Sequence, residues 1–95
     1  MKNTFTALFS LGQLTATPGA LAALATVGQP FANLVKRHVS GDWGELDEAD
    51  RRENELSLKH GDRLLSSYGV APGLRVWIIT EADRSATTLL LPEEY

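Results

Sequence analysis

Hydrophobic and polar positions change their rhythm twice along the chain. Before Thr17 the apolar groups Leu8, Phe9, Leu11 and Leu14 neither alternate cleanly nor recur at helical spacing, and they predict an irregular strand over residues 7–15. The spacing then becomes helical. Thr17-Pro18 is a helix start, with Thr at the cap and Pro in the first turn, and residues 18–26 carry Leu21, Leu24 and Ala25 on one face. Gly28 stops that helix. Pro30 opens a second helix in the same way. Phe31, Leu34, Val35 and His38 fall at i, i+3, i+4 and i+7, a single stripe aimed at a core, and Ser40-Gly41 ends it. A third helix is predicted over residues 46–60, capped by Asp47 and stopped by Gly61; its apolar face is thin, so it belongs at the surface.

Past Asp62 the rhythm turns from helical to alternating. Residues 63–68 read as a strand and 70–73 as a turn with Pro-Gly chemistry. Residues 74–80 are the strongest strand signal in the chain, 83–85 form a hairpin tip, and 87–91 return as far as Pro92. Trp77 and Ile78 are expected at the centre of the sheet, buried against Leu21, Leu24, Phe31 and Val35. The pattern predicts a single α+β domain over residues 1–95, with two or three N-terminal helices packed on a C-terminal three- to four-stranded antiparallel meander.

Composition narrows the function classes. An apolar content of 43% with 22% charged residues argues for a globular domain rather than a disordered one. There is no cysteine, which excludes disulfides and thiolate metal sites and fits a reducing cytoplasm. No apolar run reaches the ~20 residues of a membrane span. Met1-Lys2-Asn3-Thr4-Phe5 lacks the continuous apolar core of a signal peptide. A formal charge of -3 offers no general attraction to nucleic acid, so neither direct nucleic-acid binding nor a membrane partner is expected. A chain this short hides a modest share of its surface on folding, which makes a partner or a homodimer a natural source of extra stability.

Candidate chemistry gathers around residues 37–50. His38 reads either as a hydrogen-bonded core histidine or as a general base opening onto the turn that carries Trp43. Trp43, between Gly41 and Gly44, reads as a lid on the core or as a contact residue. The acids Asp42, Glu45, Asp47, Glu48 and Asp50 follow one another with no base between them. They form either a solvated helix start or a patch that docks on a basic surface. Near the hairpin tip, Arg84, Ser85, Thr87 and Thr88 could meet a phosphate, though such groups commonly bond their own turn. His60, beside Gly61, reads as part of a helix end. There is no Gly-rich phosphate loop, no nucleophile elbow and no metal-ligand spacing, so no cofactor or metal is expected.

Read together, His38-Val39-Ser40-Gly41-Asp42-Trp43-Gly44, Asn54, Gly61-Asp62-Arg63, Ser67-Tyr68, the run from Trp77 to Ser85 and Leu90-Leu91-Pro92-Glu93-Glu94-Tyr95 resemble a family of small proteins carried on plasmids, integrative elements and prophages of proteobacteria. Members often bear a misleading label as a type I restriction subunit. The resemblance implies a mobile-element accessory protein, and small proteins in that setting often antagonise host defence, as anti-CRISPR and anti-restriction proteins do. The partner so implied is a host protein or nucleoprotein defence complex, met through the acidic and aromatic surface of Asp42, Trp43, Glu45, Asp47, Glu48 and Asp50. A second resemblance, to RelE- and barnase-like ribonucleases, implies a metal-independent RNase. His38, Arg63, Arg75, Arg84 and Thr88 would be its catalytic groups.

Overall fold

The computed structural model describes residues 7–95. The Met1-to-Phe5 leader reading lies outside the described residues. The chain runs β1 (Gln13–Ala16), α1 (Pro18–Val27), α2 (Phe31–Val39), α3 (Glu48–His60), β2 (Leu64–Ala71), β3 (Leu74–Thr80) and β4 (Ala86–Leu90), then a short 3-10 turn at Pro92–Glu94. This is an α+β domain, with one sheet in the order β1-β4-β3-β2. β2, β3 and β4 form the expected antiparallel meander, with Ser66 opposite Ile78 and Ile78 opposite Leu89.

The sheet as a whole is mixed, which corrects the purely antiparallel expectation. β1 joins the free side of β4 in parallel, Gln13 opposite Ala86 through Ala16 opposite Leu89. A strand therefore precedes the helices, and a helical turn follows the sheet. The first strand is also shorter than residues 7–15. Gly12 breaks it, at φ +63° and so close to the β3–β4 hairpin that an added Cβ would lie 2.3 Å from the Ser85 carbonyl group. Only a glycine fits there.

Local signals explain the remaining boundaries. The Thr17 hydroxyl accepts from the Ala20 amide and caps α1. Asp47 caps α3 by accepting from Asp50, so the helix begins at Glu48 rather than at residue 46. Pro30 is the cap residue of α2 rather than its first helical residue. β2 runs on to Ala71, which leaves Pro72-Gly73 alone as the turn.

Ala20, Leu24, Leu34 and Val35 from the first two helices meet Tyr68, Val76, Ile78 and Leu89 on one face of the sheet to make the core. The strand pleat then decides Trp77. Successive side chains point to opposite faces, so with Val76 and Ile78 under the helices Trp77 faces away from them. It is only partly buried, and its ring meets Tyr95 edge-on at 5.8 Å. The expectation that Trp77 packs on the helices is corrected, as is the burial of Leu21 and Phe31, which are 46% and 45% exposed.

Candidate functional site

His38 and Trp43 lie together beneath the surface. The α2 stripe drives His38 into the sheet, where it is fully enclosed. Its Nδ1 lies 2.6 Å from Ser66 Oγ on β2 and its Nε2 lies 2.9 Å from Thr80 Oγ1 on β3. Thr80 Oγ1 is in turn 2.7 Å from Thr87 Oγ1 on β4, and Thr87 donates to the Leu11 carbonyl at 2.7 Å. One hydrogen bond fixes the next. A carbonyl can only accept, so Thr87 gives its single proton to Leu11 and must accept from Thr80. Thr80 has then spent its proton and accepts from Nε2–H, which leaves Nδ1 of the neutral ring to accept from Ser66. The imidazole is neutral with its proton on Nε2. Burial, and after it the charge of nearby Arg84, pushes its pKa down to about 3.

Trp43 closes this cluster. It is 2% exposed, stacks on Phe9 at 6.3 Å and meets His38 edge-on at 5.9 Å. Its Nε1 donates to the Glu55 carboxylate at 2.9 Å. The contact reading of Trp43 is therefore corrected: the indole is a lid on the core and presents no surface to a partner. The reason lies in Gly44, at φ +76°, where a Cβ would lie 2.1 Å from the Ser67 carbonyl oxygen. That close approach lets residues 43–45 run beside β2, and it turns the indole inward.

The acidic loop is irregular but held throughout its length. The Ser67 amide donates to the Trp43 carbonyl at 3.1 Å, and the Glu45 amide donates to the Ser67 carbonyl at 2.6 Å. The Tyr68 hydroxyl donates to the Asp42 carbonyl at 2.6 Å, and Arg51 donates to the carbonyls of Gly44 and Leu46. Burial raises the Tyr68 pKa to about 12, which keeps that donor protonated. Asp42 forms an ion pair with Arg37 at 2.7 Å, and this bond holds its carboxyl below the usual range. Glu45 pairs with Arg75 at 2.8 Å, and Asp47 is occupied as the α3 cap. Glu48 and Asp50 are exposed on the first turn of α3. The five carboxylates thus divide into three with structural bonds and two that face solvent without an ion pair among the described residues.

The five residues of the ribonuclease reading are not brought together. His38 is enclosed beneath the helices. Thr88 follows Thr87 and so faces the other side of β4, where its hydroxyl lies 3.0 Å from Thr15. Arg75 stands beside Glu45, five strand positions from Thr80, which is about 16 Å along β3. Arg63 bonds the Tyr95 hydroxyl at the far end. Arg84 sits in the left-handed region at φ +61°, and its guanidinium donates to the carbonyls of Ser57, Asp62, Glu81 and Ala82. It ties the end of α3 to the hairpin, which leaves few donors for a phosphate.

Sequence reasoning gave no role to Ser66, Thr80, Glu55 or Asn54. A signal for the first two was present: with Leu64 and Tyr68 pointing inward, alternation places Ser66 inward as well, and with Val76 and Ile78 it does the same for Thr80. Small hydroxyls at inward positions need a polar partner, and His38 is the polar residue on the covering helix. No cluster that could hold a metal ion occurs among the described residues, and no described helix is long and apolar enough to cross a membrane. Compared with protein-family models, with curated proteins and with solved structures, the chain matches none of them.

Proposed function

We propose that the chain is a non-enzymatic accessory protein of a mobile element, which binds and inhibits a host defence complex of the anti-CRISPR or anti-restriction kind. The observation that carries this reading is the rigidity of the acidic loop. Its backbone between Asp42 and Leu46 is bonded by Ser67, Tyr68 and Arg51, although it belongs to no helix or strand. A loop pinned in this way loses little conformational freedom when a partner closes on it, which favours binding over a loop that must first be ordered. The free carboxylates Glu48 and Asp50 beside it suit a basic surface, such as one that otherwise holds nucleic acid, and the cytoplasm is where such complexes act. Trp43 supports the surface from beneath. A ribonuclease would need His38 within reach of a phosphate, and that side chain is enclosed, neutral and bonded at both nitrogens.

The test is plasmid or phage challenge of a host with an active CRISPR or restriction system. Expression of the chain is expected to raise establishment of the targeted element. The double reversal of Glu48→Lys with Asp50→Lys should remove that protection while leaving the chain folded; both acids lie in the first turn of α3, so their reversal should cost about 1–2 kcal/mol of helix-dipole stabilisation. Protection that survives the double reversal refutes the acidic surface, and no protection in either kind of host refutes the inhibitor reading.

A further inference from the structure

The two edges of the sheet are treated differently. On β2 the outward backbone groups of Leu65 and Ser67 are engaged. Asn54 on α3 brackets Leu65, donating to its carbonyl at 2.7 Å and accepting from its amide at 3.2 Å. Ser67 is bonded by Trp43 and Glu45. That edge is closed against further strands. β1 is the other edge. The amides of Gln13 and Thr17 donate inward, to Ser85 and Leu89. Backbone direction alternates along a strand, so Leu14 and Ala16 turn their N–H and C=O outward, and no described strand lies beyond them.

The surface beside that edge is apolar apart from Lys36, which lines one groove, and no carboxylate lines it. Leu14, Leu21 and Phe31 are 39%, 46% and 45% exposed. They line two adjoining grooves that share Leu14 and Phe31. No charged residue occurs from Asn3 through Val35, and every acidic residue lies at Asp42 or beyond. Natural edges are commonly guarded by a lysine, a proline or a bulge, and the four residues of β1, Gln-Leu-Thr-Ala, contain no charge and no proline.

We propose that β1 and the apolar groups beside it form the interface of a symmetric homodimer. The charge distribution selects a second copy. Two chains of net charge -3 repel wherever their carboxylates face each other; no carboxylate lines either groove, and Glu94, bonded to Thr17, reaches only the end of β1. Antiparallel pairing supplies the symmetry. A two-fold axis normal to the sheet at Thr15 sets Leu14 opposite Ala16 of the partner subunit, so the outward amides and carbonyls satisfy one another. The same axis keeps the α1 and α2 layers of both copies on one side of a continuous sheet, and Leu14, Leu21 and Phe31 of each then meet their counterparts at the seam. The inference is independent of the acidic loop, which lies beyond the opposite edge of the sheet.

Analytical ultracentrifugation over micromolar to millimolar loading tests it, together with amide exchange by NMR. Wild type is expected to move towards twice the 10.3 kDa chain mass as concentration rises. The Leu14 and Ala16 amides should gain protection in step with that shift. Phe31→Glu places a carboxylate on each side of the seam, at an exposed helix start that tolerates an acid, and it should raise the dissociation constant at least tenfold. A chain that stays monomeric with both amides unprotected overturns the proposal. So does a dimer that Phe31→Glu leaves intact. Protection that is independent of concentration and vanishes when residues 1–6 are deleted also overturns it, because the occupant of the edge would then be the chain's own N-terminal segment.

Discussion

Acid should destabilise this protein well above the pH at which its carboxylates titrate, and His38 is the reason. In the folded state the imidazole is enclosed, and its pKa lies at about 3 against 6.5 for the free side chain. The unfolded chain therefore takes up the proton first, and protonation favours unfolding. The stabilisation is fully present above pH 6.5, is lost as the pH falls through 6.5 towards 3, and falls no further once both states are protonated. Between pH 7 and pH 5 linkage gives a loss of about 2 kcal/mol. That figure is governed by the unfolded value, because the folded ring stays neutral at both ends of the interval. The Asp42 carboxyl is held low by its bond to Arg37, so its share is lost at more acidic pH. Against a typical domain stability on the order of 5–15 kcal/mol, the effect is large. Urea unfolding at several pH values, followed by the fluorescence of the buried Trp43 indole, measures it directly. His38→Gln supplies the control, since its amide can donate and accept as the imidazole does but cannot titrate. The variant should lose most of the dependence between pH 7 and 5, whatever its absolute stability. A wild-type stability that is flat over this interval, or a His38→Gln variant with the full wild-type slope, would refute both the burial and the neutral tautomer.

Two further comparisons probe the turn and the sheet. Gly44 and Gly61 share the same backbone angle, φ +76°, but only Gly44 has an atom in the way of a Cβ. Gly61→Ala should cost about 1–2 kcal/mol for the left-handed conformation alone, and Gly44→Ala should exceed it by about 1–3 kcal/mol of forced displacement; equal urea midpoints would refute the close approach to Ser67. Trp43→Ala should cost about 3–5 kcal/mol as a buried large-to-small change. Trp77→Ala should cost less, because that ring is partly exposed and faces away from the helices; calorimetry showing the reverse order would misplace the sheet.

Much of the fold is written in local pattern. Thr17-Pro18, Asp47 three residues before Asp50, and the glycines at positions 28 and 61 mark the helix ends by groups that satisfy terminal amides and carbonyls within a few residues. The alternating run from Leu64 to Leu90 specifies the meander for a similar reason: each hairpin pairs neighbours in sequence, so local turn chemistry and side-chain period suffice. The candidate site was less legible. Sequence placed His38 on an apolar stripe and Trp43 between two glycines, yet in each case two readings stood open, because exposure is a property of what lies on the other side.

What the sequence by itself determined, then, is the helices, the order of the last three strands and the inward turn of Leu34, Val35 and His38 on α2, though not the exposure of Phe31. Tertiary structure alone decided the rest. β1 pairs with a strand seventy-odd positions away, and its register follows from Gly12 lying against Ser85, an approach no local window contains. Trp77 and Ile78 are adjacent apolar residues, and only the side on which the helices settled assigned one to the core and the other to Tyr95. His38 became a neutral structural group because the sheet encloses it, and Ser66 and Thr80, from two different strands, bond its two nitrogens while Thr87 orients Thr80. The acidic run was divided between structure and solvent by Arg37 and Arg75, which arrive from separate parts of the chain to pair with Asp42 and Glu45, while Asp47 is taken up by its own helix. The physical reason is the same throughout. Caps, turns and periodicity act between residues a few positions apart, whereas burial, tautomer and ion pairing depend on which distant surfaces the folded chain brings into contact.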